Sequence, residues 1–457
     1  MRVFRKTGLA SMLAIALVLI TPWSMAEEMK IGIGRTIITP QSPIWMAGYA
    51  SRTEPGAGKV HDLWAKAMAM EDAQGTIAVI ITTDLIGLTA EITDGVSKRI
   101  EEAHGIPRGN LMYNASHTHS GPVVRDNALF HMYGLDKENI DRAIAYTQKL
   151  NEWLFQTIDT AIKDLQPGTL SWAIGEASFG KNRRQFNPNG GVSNGFNPIG
   201  PVDHDVPILL AKDAKGGIKG ILFGYACHCT TVGFQEYSGD YAGYAQIHIE
   251  NAYPEATALF AAGCGADQNP LPRRKLELAE KYGAELGHAV EAVVDNAMTP
   301  VTGPIETNYK TIQLELTKAP TLEEVEKTLT HSNKYEVRRA KKLQQLYKDN
   351  GKLSETLPYP IQVWKLGETV QITALAGEVV VDYSRLIKYH YAAEKQFILG
   401  YSNDCLAYIP SLRVLQEGGY EGGGAMLYYG IHGPFKHSVQ NDIMNTIKEL
   451  AGPPTTP

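Results

Sequence analysis

Ile77-Ala-Val-Ile-Ile-Thr-Thr83 is an apolar, β-branched run, followed by an amphipathic stretch from Thr89 to His104 and another short apolar run at 110–116. Alternation of this kind predicts an α/β protein, with mixed β-sheets flanked by helices. Working outward, strands are expected near 169–178, 206–212, 218–228, 256–262, 309–316, 361–365, 369–376 and 394–400. Helices are expected at 138–164, 273–297, 379–391 and 434–450, where apolar residues recur at three- and four-residue steps. The stretch 321–350 is crowded with charge, from Glu323 to Lys342, and reads as a polar helical insertion. No solenoid-length repeat and no Ser- or Pro-rich linker interrupts the chain, so 27–457 is expected to form a single domain.

The 457 residues are 44% hydrophobic and 20% charged, a globular balance that excludes collagenous, coiled-coil and disordered classes. Arg2, Arg5 and Lys6 precede an apolar run from Leu9 to Ile20 and then Ser24-Met25-Ala26, the order of a secretory signal peptide cleaved after Ala26. A secreted or periplasmic protein is expected, with no transmembrane segment once the signal is removed. The net charge of −6 becomes −9 when those three basic residues leave, so the chain carries no electrostatic footprint for nucleic acid. Cys227, Cys229, Cys264 and Cys405 remain. A bond between Cys227 and Cys229 would be strained on a strand, leaving longer-range pairs or free thiols.

The sharpest local signal is Asn114-Ala-Ser-His117-Thr-His119-Ser-Gly-Pro122, after the strand-like Leu111-Met-Tyr113. Two histidines at i and i+2 on a strand project from one face, where both imidazoles can meet one ion. Two polar residues capping a strand end give the same pattern. His228, in Gly224-Tyr-Ala-Cys227-His228-Cys229, is expected on the opposite face from both cysteines, as a ligand or as a hydrogen-bonded core histidine. Glu378, in Ala374-Leu-Ala-Gly377-Glu378, suits a carboxylate ligand or a helix cap. Tyr408 and Tyr420 stand in loops after a further strand, where a tyrosine ligates, donates to an oxyanion or simply packs. Asp267, where a strand leaves through glycines, suits either a partner for a ligating histidine or a turn cap.

Taken in order, these segments resemble the catalytic domain of the neutral/alkaline non-lysosomal ceramidase family over most of 30–436. The His-Thr-His-Ser-Gly-Pro segment at 117–122 is similar to that family's signature. The resemblance implies a zinc set of His117, His228, Glu378 and Tyr408, with His119 as acid/base or substrate contact. Asn182-Arg183 resembles the pair whose guanidinium holds substrate near the metal, and Tyr420 resembles a second active-site tyrosine. Two departures stand out. Gly265-Ala-Asp267-Gln268-Asn-Pro270 has Gln268 where ceramidases carry a serine, and the chain stops where an immunoglobulin-like domain would follow.

The expected activity is zinc-dependent cleavage of an amide by metal-activated water, on a ceramide-like or other N-acyl compound, a small-molecule or lipid substrate. His119 or Asp267 would handle the proton, and Arg183 with Tyr420 would stabilise the oxyanion. The alternative is a catalytically silent zinc- or ligand-binding protein that keeps the fold without the serine.

Overall fold

The computed structural model describes residues 29–124 and 130–454. The signal peptide expected at 1–26 lies outside the described residues. The architecture is the expected mixed α/β one. A nine-stranded sheet runs Thr257–Ala262, Ile218–Tyr225, Asp205–Asp213, Gln166–Glu176, Met29–Ile37, Trp64–Glu71, Ile77–Thr83 and Leu111–Ala115, with Thr299–Val301 pairing beside Gln166–Glu176. Its two outermost pairs are parallel and the pairs between them antiparallel. A four-stranded sheet, Ile305–Glu315, Thr356–Leu366, Val370–Leu375 and Gln396–Leu399, packs against it through Trp364, Ile372 and Phe397.

Three of the longer elements escape the sequence patterns. Trp64-Ala-Lys-Ala-Met-Ala-Met-Glu71 is a strand of alanines and methionines, poor β formers that the sheet nevertheless buries on both faces. Met29–Ile37 carries Gly32 and Gly34, which read as breakers. Here they admit the helix Lys137–Lys163, since a Cβ at Gly34 would stand 2.1 Å from the Thr157 carbonyl oxygen. The helix Asp240–Ala252 is buried on most sides and shows no clear amphipathic period. The polar insertion forms two helices, Leu322–Thr328 and Lys334–Asn350, between two hydrogen-bonded antiparallel strands. They enclose a small core of Val325, Ala340, Leu343 and Leu353. All four cysteines are buried free thiols.

The outermost strands of the large sheet meet through one side chain. The buried Asn114 amide accepts from Ala262 N at 2.8 Å and donates to Ala262 O, Gly400 O and Ser402 Oγ. It therefore acts as a strand-pairing unit between Leu111–Ala115 and Thr257–Ala262, just where both strands release their loops toward the site. Removing it strands several backbone groups without water, at about 1–3 kcal/mol each. Asn114→Leu should lower unfolding stability by roughly 3 kcal/mol or more in urea titration; a loss under about 1 kcal/mol would contradict this role.

His61 holds the start of the helix Asp240–Ala252 by accepting from Gly239 N at 2.7 Å. Burial pushes its pKa down to about 4 from 6.5. Between those values the unfolded chain binds a proton that the folded chain refuses, so this contribution is intact above pH 6.5 and lost as pH falls to about 4. His61→Gln keeps an acceptor but does not titrate. Its stability–pH curve should be flatter over that window than that of the wild type, and an unchanged slope would exclude His61 as the cause.

Candidate metal centre

Loops leaving four strand ends bring His117, His228, Glu378 and Tyr408 together. The convergence of His117 and His119 does not come from strand alternation, as expected, because the strand ends at Ala115. His117 instead adopts φ 60°, and this left-handed turn swings its ring toward the others. Likewise the strand before His228 ends at Tyr225 rather than near 228. Cys227 and Cys229 still enter the core beside Tyr241 while His228 faces away from them into the site. Glu378 and Tyr408 are neighbours in a two-residue parallel ladder, with Glu378 N donating to Ala407 O at 2.8 Å.

Both buried histidines have their orientation set by main-chain oxygens. His117 Nδ1 lies 2.6 Å from Ile86 O and His228 Nδ1 lies 2.9 Å from Gly265 O. A carbonyl only accepts, so each Nδ1 carries the proton and each Nε2 presents a lone pair. Those two Nε2 atoms both lie 3.1 Å from Glu378 Oε2, an oxygen that is buried without a hydrogen bond. Protonating the His228 ring is opposed by burial, which together with Arg183 pushes it down to about 4. Two imidazole nitrogens and a carboxylate oxygen in contact, away from water, form a donor set that a cation between them would satisfy.

Tyr408 Oη, 3.2 Å from His228 Nε2, and His119 Nε2, 3.3 Å from His117 Nε2, extend the donor group. A tetrahedral zinc with bonds of about 2.0–2.1 Å holds its ligands roughly 3.3 Å apart, so the spacing and the nitrogen–oxygen donor set fit zinc. His119 is partly exposed, and burial with His117 and His228 nearby holds its pKa well below the usual range. Gly48 at φ 94° makes room for that ring, since a Cβ there would stand 2.4 Å from His119 Cγ.

Arg183 is buried, its Nη2 donating to Tyr408 Oη at 2.9 Å and its Nε to Glu421 Oε1 at 2.8 Å. Glu421 also takes Arg184 Nη1, so one carboxylate fixes two guanidinium groups. Tyr420 packs edge-on to Tyr408 and lines a cavity of about 360 Å³ over the histidines. Tyr49, Tyr428 and Tyr429 share that wall, as does Tyr335 from the polar insertion. Gln268 is buried and bonded to Ala226 O and Asp203 N.

The Asp267 carboxylate does not bond to either buried histidine. It accepts from Val381 N, the first residue of a helix, and from Asn182 Nδ2, while backbone carbonyls hold the histidines. Burial raises its pKa to about 7. It holds the start of the helix at Val381 rather than its own glycine-rich turn.

The sequence reading missed Tyr429, whose hydroxyl donates to Glu378 Oε1. It occupies one carboxylate oxygen and leaves Oε2 toward the imidazoles. Nothing in Tyr428-Tyr429 distinguishes it from packing tyrosines. Partners of this kind are worth about 10–100-fold in metal affinity. Tyr429→Phe should weaken zinc binding by about that factor in competition titration with a chromogenic chelator, and wild-type affinity would exclude the role.

Residues 29–267 match the family described as neutral/alkaline non-lysosomal ceramidase, N-terminal. The neutral ceramidase of Pseudomonas aeruginosa is 27% identical over 275 residues, 56% of this chain and 39% of that protein. Neutral ceramidase B of Dictyostelium discoideum is 28% identical over 227 residues, 47% of this chain and 31% of that protein. The matched part thus spans well under half the length of these relatives. The crystal structure of the Pseudomonas aeruginosa neutral ceramidase superposes with a TM-score of 0.71 at 20% identity, covering 93% of this chain and 74% of that one. A ceramidase complexed with C2 superposes equally well, at 18% identity. The family match covers more than half of the sequence and the fold agrees along nearly all of it: the chain belongs to the neutral/alkaline non-lysosomal ceramidase family.

Proposed function

We propose that the protein is an exported zinc-dependent hydrolase that cleaves the amide of an N-acyl compound, with 27–457 acting as one catalytic unit after removal of 1–26. The observation that carries this reading is the buried Glu378 Oε2 facing the Nε2 atoms of two imidazoles whose Nδ1 atoms are bonded to carbonyls. The relatives named as neutral ceramidases support an amide as the bond attacked.

His117, His228, Glu378 and Tyr408 hold the ion. A zinc held there would supply Lewis acidity and activate a water for attack at neutral pH. His119, held neutral beside the ligands and with a buried Nδ1 that lacks a partner, is placed to contact the attacking water or the substrate. Arg183 is pinned by Glu421 and keeps Tyr408 oriented, and with Tyr420 it presents donors to the oxygen on which charge develops. The tyrosine wall limits the water that reaches the reacting carbonyl. Gln268 has no nucleophilic oxygen, and its amide is already committed to Ala226 and Asp203, in keeping with water as the nucleophile.

Purified protein should carry about one equivalent of zinc by elemental analysis, and His117→Ala and His228→Ala should each lose it. Hydrolysis of an N-acyl panel should stop with chelator and return with added zinc. Wild-type protein that binds no zinc rejects the metal site, whereas zinc with saturable ligand binding and no turnover identifies a binding protein. A mature N-terminus at Glu27, found by mass spectrometry of the exported product, would support export, and an intact Met1 in that fraction would refute the cleavage.

A further inference from the structure

Beside the metal-site cavity lies a larger bowl of about 550 Å³, and the two share Tyr49 and Ser51. Arg52, Arg274 and Lys275 line the bowl, against the single carboxylate of Glu54. Arg52 and Arg274 bring their guanidinium groups to 5.3 and 4.9 Å from the same Tyr49 ring. Arg52 is partly buried yet donates only to uncharged oxygens, those of Phe234, His119 and the Gln235 side chain. Its Nε is buried with no partner. Arg273, alongside, donates to the Thr230 hydroxyl. Burial works against the charge of both Arg52 and Arg273.

A chain of net charge −6 has thus gathered positive side chains on one concave wall and given them no carboxylate partner among the described residues. Like charges held together in a recess repel, and the arrangement is favourable when an anion enters it. The recess is coupled to the metal centre. Tyr49 lies 4.9 Å from the His119 ring, centroid to centroid, and Arg52 Nη2 holds the His119 carbonyl at 2.9 Å.

We propose that this bowl binds an oxyanion, such as a sulfonate, phosphate or carboxylate, carried by the molecule whose amide is cleaved. The proposal rests on the amide-hydrolase reading and narrows it: the substrate class is an acidic N-acyl compound rather than a neutral N-acyl lipid. A neutral lipid would leave Arg52 and Arg274 uncompensated while occupying the metal site.

The test uses the zinc-loaded protein with N-decanoyltaurine and N-decanoylethanolamine, which share the scissile amide and acyl chain and differ in sulfonate against hydroxyl. The taurine conjugate should have a KM at least about tenfold lower, a preference that shrinks between about 0.05 and 0.5 M salt. In Arg274→Met/Lys275→Met, two exposed side chains, the ratio of the two KM values should fall toward one, whereas a general folding defect would depress both substrates alike. Equal KM values in the wild type, or a ratio unchanged in the variant, overturns the anion site and leaves the hydrolase reading standing. Should neither conjugate be cleaved, calorimetric binding of N-decanoyltaurine decides. Binding weakened about tenfold in the variant keeps the anion site and removes the hydrolase, and binding that is absent or equal in both removes the anion site.

Discussion

Glu378 Oε2 is a buried carboxylate oxygen with the Nε2 atoms of two imidazoles 3.1 Å away. Burying such a carboxylate costs several kcal/mol unless positive charge sits beside it, and the surrounding chain holds the group in place. Tyr429 takes the other carboxylate oxygen, the carbonyls of Ile86 and Gly265 fix both rings, and Arg183 anchors the Tyr408 hydroxyl. Each of these partners removes a way for the group to relax into an ordinary hydrogen-bonded cluster. The donor atoms are thereby kept converged on one point.

The fold makes that cluster by joining sheet ends that are distant in the sequence. Asn114 bridges the outermost strands, and the Glu378 and Tyr408 segments are laddered together beside them. Loops from 114–122, 226–231, 376–379 and 400–409 therefore open on one side of the molecule. The polar insertion reaches the same side. Tyr335 stands against Tyr428 at the cavity, so a segment that looks like a solvated appendage contributes part of the substrate wall.

Much of the scaffold was legible because burial imposes periodicity. The β-branched runs at 77–83, 218–225 and 370–375 can only be strands in an α/β alternation, and the stepped apolar residues of 138–164 and 434–450 can only face a sheet. Two elements escaped for lack of a period: Trp64–Glu71 is buried on both faces, and Asp240–Ala252 mixes buried and exposed positions without a clean apolar stripe. Asp267 was ambiguous for a related reason. A lone carboxylate after a glycine-rich turn suits a cap as well as a ligand partner, and only the neighbouring helix start at Val381 distinguishes them.

By itself, the sequence determined the types of side chain available, two histidines two apart, a third in a cysteine-flanked segment, a Gly-Glu and a late tyrosine, together with an alternation that compels sheets and helices. Tertiary structure alone decided that His117 turns through a left-handed backbone, that Tyr429 and Glu421 serve the site, and that Arg52 and Arg274 share one aromatic wall. The reason is physical. Periodicity records which face of an element avoids water, a local property, whereas the partner of a buried charge is set by loops that meet only after the sheets have formed.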